Sequence, residues 1–370
     1  MTNSRLKAIK KAKYTDIISL FIISRIVYLV IMLLSGFPLA TTLQSFDAEF
    51  YLNIARNGYS SIQSTAFFPL FPMVIRFTTL YGALLINNLA FLASLFILKK
   101  LGSNTWVLAV FALGPMGFFS MLLYTESLFF FFTVFAFYLM KNRKYPLLMG
   151  IALGLSVLTR SSGSMLFFAI FIGMCIQFAK KEIKFRSIII AYVPATVLAL
   201  IYPVYLQTAF GNWKQFVDCQ FTDWNKIKSN IFKTIWTGLK MIFTDAYPYR
   251  SDAYKPLQIT NEVLSLFLLA LFVIYIVTVI CSFIKKRKVD TEELVLIIFV
   301  ALTLYAVNTT IRDPYLDSPT VSFYRYYYGT FPICLMMNKK NIIAQELFTV
   351  FTAALGMITS FVFCLNFFFY

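Results

Sequence analysis

The chain has 370 residues, of which 59% are hydrophobic and only 13% are charged, against about 25% charged residues in an average soluble domain. Apolar runs long enough to cross a bilayer recur along the whole chain, which excludes a soluble enzyme held by a single anchor. Histidine is absent, which excludes metal sites and general bases built on that residue.

The apolar runs predict an all-α integral membrane protein with about 11 spans. No internal repeat and no Ser/Gly-rich linker divides the chain, so we expect a single polytopic domain over residues 1–370. The candidate spans, in chain order, are 16–38, 82–98, 105–122, 124–140, 145–159, 164–179, 187–207, 262–284, 292–308, 323–337 and 345–369.

The formal net charge of +17 comes largely from clusters that lie beside these runs. Twenty of the 33 lysines and arginines fall in six clusters: Arg5 to Lys13, Lys99-Lys100, Lys141 to Lys144, Lys180 to Arg186, Lys285 to Lys288 and Lys339-Lys340. A cytoplasmic N-terminus places all six clusters on the cytoplasmic side, as positive-inside topology requires. We therefore expect membrane lipid as a partner, and no nucleic acid. The compact loops favour a multi-pass protein of a bacterial cell membrane, with the endoplasmic reticulum membrane as the alternative.

Two segments on the extracytoplasmic side carry most of the remaining polar residues. One is the first outer loop, 39–81, and the other is the amphipathic segment 208–261. In the second segment, apolar residues recur at helical spacing among lysines, at Ile231, Ile235, Leu239 and Phe243. This pattern predicts a helix that lies in the membrane interface or, as the alternative, packs on the bundle.

Asp47 and Glu49 lie in the first outer loop, in the stretch FDAEFYLNIARNGYSSIQSTAFFPLFP. Carboxylates at positions i and i+2 do not share a helix face, so we expect one of them to act alone. Beside a membrane-embedded cavity, a single carboxylate can serve as a general base or hold a metal ion. The alternative is a solvated loop acid.

Glu126 opens a strongly apolar span, TESLFFFFTVFAFYL. An acid at this position can complement the helix N-terminus, with Thr125 as the cap. The functional alternative is that Glu126 positions the substrate or Arg160.

Two arginines on the same side are candidates for binding an anion. Arg160 is followed by Ser161 and Ser162 at the start of the next span, a combination suited to a negative group. The alternative is an arginine that reaches the interface beside an ordinary serine cap. Arg325, between Tyr324 and Tyr326, suits a phosphate or a sugar ring, with an interfacial aromatic belt as the alternative.

Taken together, these segments resemble the PIG-V-like mannosyltransferases, the family of the GPI second-mannose transferase and its bacterial relatives. FDAEFYLNIARNGY followed by AFFPLFP is similar to the signature W-D-x-x-x-Y-x-x-I-A-x-x-G-Y…A-F-F-P-L-Y-P. LLYTESLF, TRSSG, WKQFVDCQFTDWNK and SFYRYYYGTFP resemble later segments of that family, in the same order. The chain departs from the pattern at Phe46, where the family has Trp, at Leu123, where it has Pro, and at Asn225-Lys226, where it has Gly-Arg.

The resemblance implies a GT-C fold with an extracytoplasmic active site and an inverting transfer in one displacement. The implied donor is a sugar, most often mannose, on a polyprenyl or dolichyl phosphate, and the implied acceptor is a glycan or glycolipid. No cofactor is required, and a divalent metal remains open because arginines alone can neutralise a monophosphate.

The resemblance also implies roles for individual residues. Asp47 is the general base, with Glu49 in reserve, and Arg160, Arg325, Ser161 and Ser162 bind the donor phosphate. The residues that then position the substrates are Tyr51, Arg56, Tyr59, Glu126, Tyr324 and Tyr326.

Two other classes of protein compete with this interpretation. A lipid or sugar transporter would show paired repeats and interrupted spans with polar groups near the midplane, whereas here the polar groups lie toward one face. A structural subunit of another membrane enzyme would not depend on its carboxylates.

Overall fold

The computed structural model describes residues 14–244, 246–247, 255–286, 290–320, 322–328, 330–332, 337–338 and 340–365. The N-terminal basic cluster, Arg5 to Lys13, lies outside the described residues. The helices are α1 (Tyr14–Leu34), α2 (Leu39–Gln44), α3 (Asp47–Asn57), α4 (Leu70–Lys100), α5 (Thr105–Leu113), α6 (Pro115–Phe119), α7 (Glu126–Asn142), α8 (Pro146–Thr159), α9 (Gly163–Ala179), α10 (Phe185–Phe210), α11 (Gln215–Thr222), α12 (Ile231–Phe243), α13 (Lys255–Lys286), α14 (Thr291–Asn308), α15 (Phe323–Tyr328) and α16 (Ile342–Cys364).

The long apolar helices confirm an all-α membrane protein. Within the described ranges, six helices are long and apolar enough to cross a membrane, namely α1, α4, α10, α13, α14 and α16, and α8 and α9 are shorter apolar helices. Helix α1 shows the pattern expected of a span, because both of its faces are apolar. Ile17, Leu20 and Tyr28 are buried in the bundle, whereas Ile22, Ile26 and Leu33 are exposed.

The predicted span 105–122 consists of two short helices, α5 and α6, that meet at Gly114. The break leaves carbonyl groups without helical partners, and the Tyr28 hydroxyl donates to the carbonyl oxygens of Leu113 and Gly114. A Cβ on Gly114 would lie 2.3 Å from the carbonyl oxygen of Val110, and one on Gly356 of α16 would lie 2.4 Å from that of Leu113. Gly114 therefore lets the chain turn tightly against the end of α5, and Gly356 allows the close approach of the α16 backbone to the break.

Segment 39–81, which the sequence predicts to be an outer loop, is largely helical. It contains α2, α3, a 3₁₀ turn over Gln63–Ala66 and the first part of α4, whose backbone leaves the helical conformation at Thr79. Helix α3 forms because its apolar residues recur at helical spacing. Its buried positions include Ala48, Tyr51, Leu52 and Ala55, which share one face.

The amphipathic segment 208–261 contains α11, a short strand β1 (Lys226–Lys228) and α12. Helix α12 buries Thr234, Gly238 and Met241 and packs against α13. Its other face exposes the aromatic rings of Phe232, Trp236 and Phe243. The helix therefore packs on the bundle, as one of the two alternatives predicts. A position of its exposed apolar face in the membrane interface stays a prediction.

Strand β1 pairs antiparallel with strand β2 (Thr310–Arg312), and together they form a two-stranded ribbon. The register places Lys226 opposite Arg312 and Ile227 opposite Ile311. Ile311 is fully buried, so one side of the ribbon is anchored in the core. The ribbon joins two segments that are far apart in the sequence and brings both to the N-terminal end of α3.

Candidate functional site

A cavity of about 130 Å³ lies between the N-terminus of α3, the end of α8, the ribbon and α15. Five charged side chains line it, and they come from five separate segments of the chain: Asp47, Arg160, Lys226, Arg312 and Arg325. Uncharged polar and aromatic residues complete the wall, among them Tyr51, Phe67, Ser161, Gln220, Trp224 and Tyr326. The fold therefore brings four basic residues and one carboxylate together in one small cavity.

Asp47 is the first residue of α3, and the strained residue before it fixes where the helix begins. Phe46 has φ 59° and ψ −120°, a backbone conformation that costs free energy for a residue with a side chain. Its ring packs edge-on against Phe363 of α16, with centroids 5.2 Å apart. Asp47 thus enters the cavity at a point set by α16, and its side chain stays 25% exposed.

Glu126 is the centre of an ion-pair network that includes Asp47. Its Oε1 atom lies 2.7 Å from Nη2 of Arg325 and 2.8 Å from Nη1 of Arg160. Nη2 of Arg325 also lies 2.8 Å from Oδ2 of Asp47. We name these four residues the Glu126 network.

The Glu126 network is buried and its charges are closely matched. The side chains of Glu126 and Arg325 are 2% and 5% exposed. Burial alone would lower the pKa of Arg160, but the Glu126 carboxylate raises it above its ordinary value. Removal of one partner from such a network leaves an uncompensated buried charge, which is strongly destabilising.

The ribbon forms the opposite wall of the cavity, with Lys226 and Arg312 side by side. The Arg312 guanidinium lies over the Trp224 ring, 5.7 Å from its centroid. No carboxylate of the described residues lies within ion-pair distance of Lys226. Burial lowers the pKa of Lys226, and Arg312 lowers it further, while Tyr326 acts in the opposite direction.

Aromatic rings connect the two walls of the cavity. Phe50 of α3 stacks on Phe67 with centroids 4.6 Å apart, and both rings contact Trp224. The Trp224 indole N–H donates to the carbonyl oxygen of Gln63. Phe67, which lies between the 3₁₀ turn and α4, therefore helps to hold α3 against the segment that leads into the ribbon.

Tyr51 and Tyr326, two of the sequence-predicted positioning residues, do line the cavity. The Tyr51 hydroxyl lies 3.4 Å from Oγ1 of Thr125, and burial raises its pKa, as does Asp47. The Arg160 guanidinium lies 4.9 Å from the centroid of the Tyr326 ring.

Other sequence-predicted residues lie away from the cavity. Glu49 and Arg56 are exposed, because positions two and nine residues after Asp47 fall on other sides of α3. The Tyr59 hydroxyl donates to the carbonyl oxygen of Phe67, and Tyr59 is not among the residues that line the cavity. Ser162 precedes α9 without a side-chain cap and is not among the lining residues. The side chain of Tyr324 lies outside the described residues.

Two cations of the cavity, Lys226 and Arg312, were not predicted as site residues from the sequence. One signal for Lys226 was present, since it stands where the resembling family has an arginine, in the segment WKQFVDCQFTDWNK. Arg312 has no such signal, because its place in the cavity depends on the pairing of β2 with β1. Gln220 and Trp224, from the same segment as Lys226, also line the cavity.

In the part of the chain that the structure describes, no group of three or more Cys, Asp or Glu side chains is placed to hold a metal ion. Comparison with family models, with curated proteins and with solved structures found no match. The chemistry of the cavity therefore has to be argued from its own residues. It contains a partly exposed carboxylate beside an excess of positive charge, which suits a substrate that carries phosphate and donates a proton.

Proposed function

We propose that this chain is an inverting membrane glycosyltransferase of the PIG-V-like, GT-C type. It moves a sugar, mannose, from a polyprenyl- or dolichyl-phosphate donor to a glycan or glycolipid acceptor. The observation that carries this proposal is the meeting of Asp47 with four basic residues in one cavity. Asp47, Arg160, Lys226 and Arg325 lie in segments that resemble the family, and Arg312 joins them through the ribbon.

The reaction that fits the cavity is a single displacement. The acceptor hydroxyl oxygen attacks the anomeric carbon of the donor sugar, and the bond between that carbon and the phosphate oxygen breaks. The acceptor proton passes to Asp47, and the polyprenyl phosphate leaves with both electrons of the broken bond. The ion pair with Arg325 uses Oδ2 of Asp47, so Oδ1 is the oxygen that takes the proton.

Charge balance supports a phosphate leaving group. The cavity and the Glu126 network together contain two carboxylates, Asp47 and Glu126, and four cations, Arg160, Lys226, Arg312 and Arg325. The excess of two positive charges matches the two negative charges that a phosphate monoester approaches after the bond breaks. Fixed cations around a developing negative charge stabilise the transition state without reorganisation.

Glu126 is a positioning residue in this mechanism. It binds both Arg160 and Arg325, and Arg325 in turn holds the Asp47 carboxylate. This chain of contacts fixes the direction of the base relative to the cavity. It also keeps two arginines close together that would otherwise repel each other.

The membrane arrangement follows from the donor. A polyprenyl phosphate sugar is a lipid and reaches the cavity sideways from the bilayer. We place the cavity on the extracytoplasmic side of a cell membrane, with the N-terminus in the cytoplasm and about 11 spans. The broken pair α5 and α6 is one of those spans, and α15 begins another.

The test is sugar transfer by the purified protein in lipid vesicles. Radiolabelled polyprenyl-phosphate sugars, mannose first, are supplied together with membrane extracts as acceptors, and the anomeric configuration of the product is determined. We expect labelled product with inverted configuration, and a rate of product formation about 10²–10⁴-fold lower for Asp47→Asn. Donor that crosses the bilayer without any covalent product would identify a transporter and contradict the proposal.

A further inference from the structure

A second cavity, of about 300 Å³, lies between α13 and α16 and shares no lining residue with the first. The two helices touch where the rings of Phe267 and Phe351 meet, with their centroids 5.3 Å apart. Beside this contact the cavity begins at Leu268 and follows α13 as far as Val279. That distance is about 16 Å at the helical rise of roughly 1.5 Å per residue. We name this cavity the α13 groove.

The wall that α13 contributes to the α13 groove is largely apolar. Leu268, Phe272, Tyr275 and Val279 recur at helical spacing on one face of the helix, and each is 9% exposed or less. Ile274 also lines the groove but is 58% exposed, so it marks the side on which the groove opens. Because α13 is long and apolar enough to cross a membrane, this opening faces lipid chains.

One polar group interrupts the apolar wall. The side chain of Tyr275 is 8% exposed and lines the groove, and no group of the described residues forms a hydrogen bond with its hydroxyl. A buried tyrosine hydroxyl usually has a hydrogen-bond partner. An acceptor oxygen on a molecule in the groove would supply that partner.

A positive charge lies at the edge of the groove where α16 begins. Lys340 lines the groove, is exposed, and forms no ion pair with any residue that the structure describes. It immediately precedes Asn341, the N-cap of α16, and the N-terminus of a helix adds positive potential at the same place. The sequence predicts this basic cluster to be cytoplasmic, on the side where anionic lipids are concentrated.

We propose that the α13 groove binds an anionic diacyl phospholipid, with one acyl chain along α13 and the phosphate beside Lys340. The Tyr275 hydroxyl donates to an ester carbonyl oxygen of the lipid. A polyprenyl phosphate has the charge but no ester, and phosphatidylcholine has the esters but no net charge. Only an anionic diacyl lipid therefore satisfies both polar groups of the groove. This inference is independent of the proposed function.

The experiment is a lipid titration of the purified full-length protein in detergent, followed by native mass spectrometry. Phosphatidylglycerol, phosphatidylcholine and undecaprenyl phosphate are titrated separately, and the dissociation constant of the first bound lipid is determined. The variants are Lys340→Gln, Tyr275→Phe and Ile274→Trp. The matched controls are Lys144→Gln, at an exposed lysine of another basic cluster, and Tyr305→Phe, at a tyrosine of α14 that is 72% exposed.

We expect the wild type to bind phosphatidylglycerol about fivefold more tightly than phosphatidylcholine, the effect of one interfacial cation. Lys340→Gln should remove this preference. Tyr275→Phe should weaken binding of both diacyl lipids about threefold to tenfold, the effect of one hydrogen bond, and should not change binding of undecaprenyl phosphate. Ile274→Trp should weaken binding of all three lipids, because the indole fills the opening. The two controls should behave as the wild type does.

Four outcomes would overturn the proposal. Equal affinity of Lys340→Gln and Lys144→Gln for phosphatidylglycerol would show that Lys340 does not hold the headgroup. An affinity unchanged in Tyr275→Phe would exclude the ester contact, and one unchanged in Ile274→Trp would place the lipid elsewhere. A dimer mass that disappears in Ile274→Trp would show that a second copy of the chain covers the groove. The melting temperature of each variant without added lipid shows whether it is folded.

Discussion

Both walls of the cavity contain cations, and the walls differ in which groups lie beside those cations. On one wall, Glu126 and Asp47 neutralise Arg160 and Arg325 through contacts of 2.7–2.8 Å. On the other wall, the ribbon places Lys226 beside Arg312 without a carboxylate of the described residues at ion-pair distance from Lys226. The cations of the Glu126 network are therefore held by carboxylates within the protein, and this arrangement suits them to orienting the Asp47 base.

The largest effect is expected from a change at Asp47, the proposed base. Asp47→Asn should lower kcat by about 10²–10⁴-fold, because an amide cannot accept the acceptor proton, and should leave the KM for the donor nearly unchanged. Glu49→Gln is the control, since Glu49 is exposed two residues further along α3. A loss confined to KM would show that Asp47 binds substrate and is not the base.

The next effect concerns stability. Glu126→Gln leaves Arg160 without its buried partner and should lower the free energy of unfolding by about 3–5 kcal/mol. The double variant Glu126→Gln/Arg160→Gln should recover part of this loss. Denaturation in detergent measures both.

The chain contains a matched control for that comparison. Arg143 and Glu182 form an ion pair of 2.7 Å whose side chains are 39% and 30% exposed. Glu182→Gln should therefore change the free energy of unfolding by about 1 kcal/mol or less. Equal losses in the two variants would contradict a buried, mutually dependent network around Glu126.

The next largest effect is expected in the pH dependence of the KM for the donor. Burial lowers the pKa of Lys226 from its ordinary value of 10.5, and only the protonated lysine attracts phosphate. The KM for the donor should therefore be lowest below that lowered pKa and rise up to about tenfold as the pH increases through it. The donor phosphodiester keeps its single charge over this range. Lys226→Arg stays protonated and should show no such rise; a rise of the same size in that variant would assign it to another group.

The smallest effect is expected from α12, the helix that follows strand β1. Trp236 on the exposed face of α12 should lie among lipid chains near the interface. Trp236→Phe should change kcat less than about twofold. Brominated phospholipids should quench the fluorescence of the wild type more than that of this variant. Equal quenching of the two proteins would show that α12 does not lie at the membrane surface.

The sequence predicts the position of several long apolar helices within a few residues, although α4 begins 12 residues before the predicted span 82–98. Apolar runs at 16–38, 187–207 and 292–308 correspond to α1, α10 and α14, because a span needs a length and composition that few other segments have. The broken helix at Gly114 could not be predicted in this way. It depends on the Tyr28 hydroxyl and on the close approach of α16, which are tertiary contacts.

The site could be predicted only where its residues lie in recognisable segments. Asp47, Glu126, Arg160 and Arg325 all stand out beside apolar runs, and the structure brings them together. The interpretation of 39–81 as a loop hid the helical period of α3. That period explains why Tyr51 lines the cavity and Arg56 does not.

The ribbon could not be predicted from the sequence, for a different reason. Each strand has three residues, which is too short for a periodic signal, and the pairing joins segments that are remote in the sequence. The arrival of Lys226 and Arg312 at the cavity therefore required the structure.

A structure of the protein with a non-transferable donor analogue, an undecaprenyl-phosphonate mannose, tests the central claim most directly. We predict the phosphonate oxygens about 3 Å from cationic nitrogens of the cavity and the anomeric carbon turned toward Asp47. A phosphonate bound outside the cavity, or an anomeric carbon turned away from Asp47, would contradict this account.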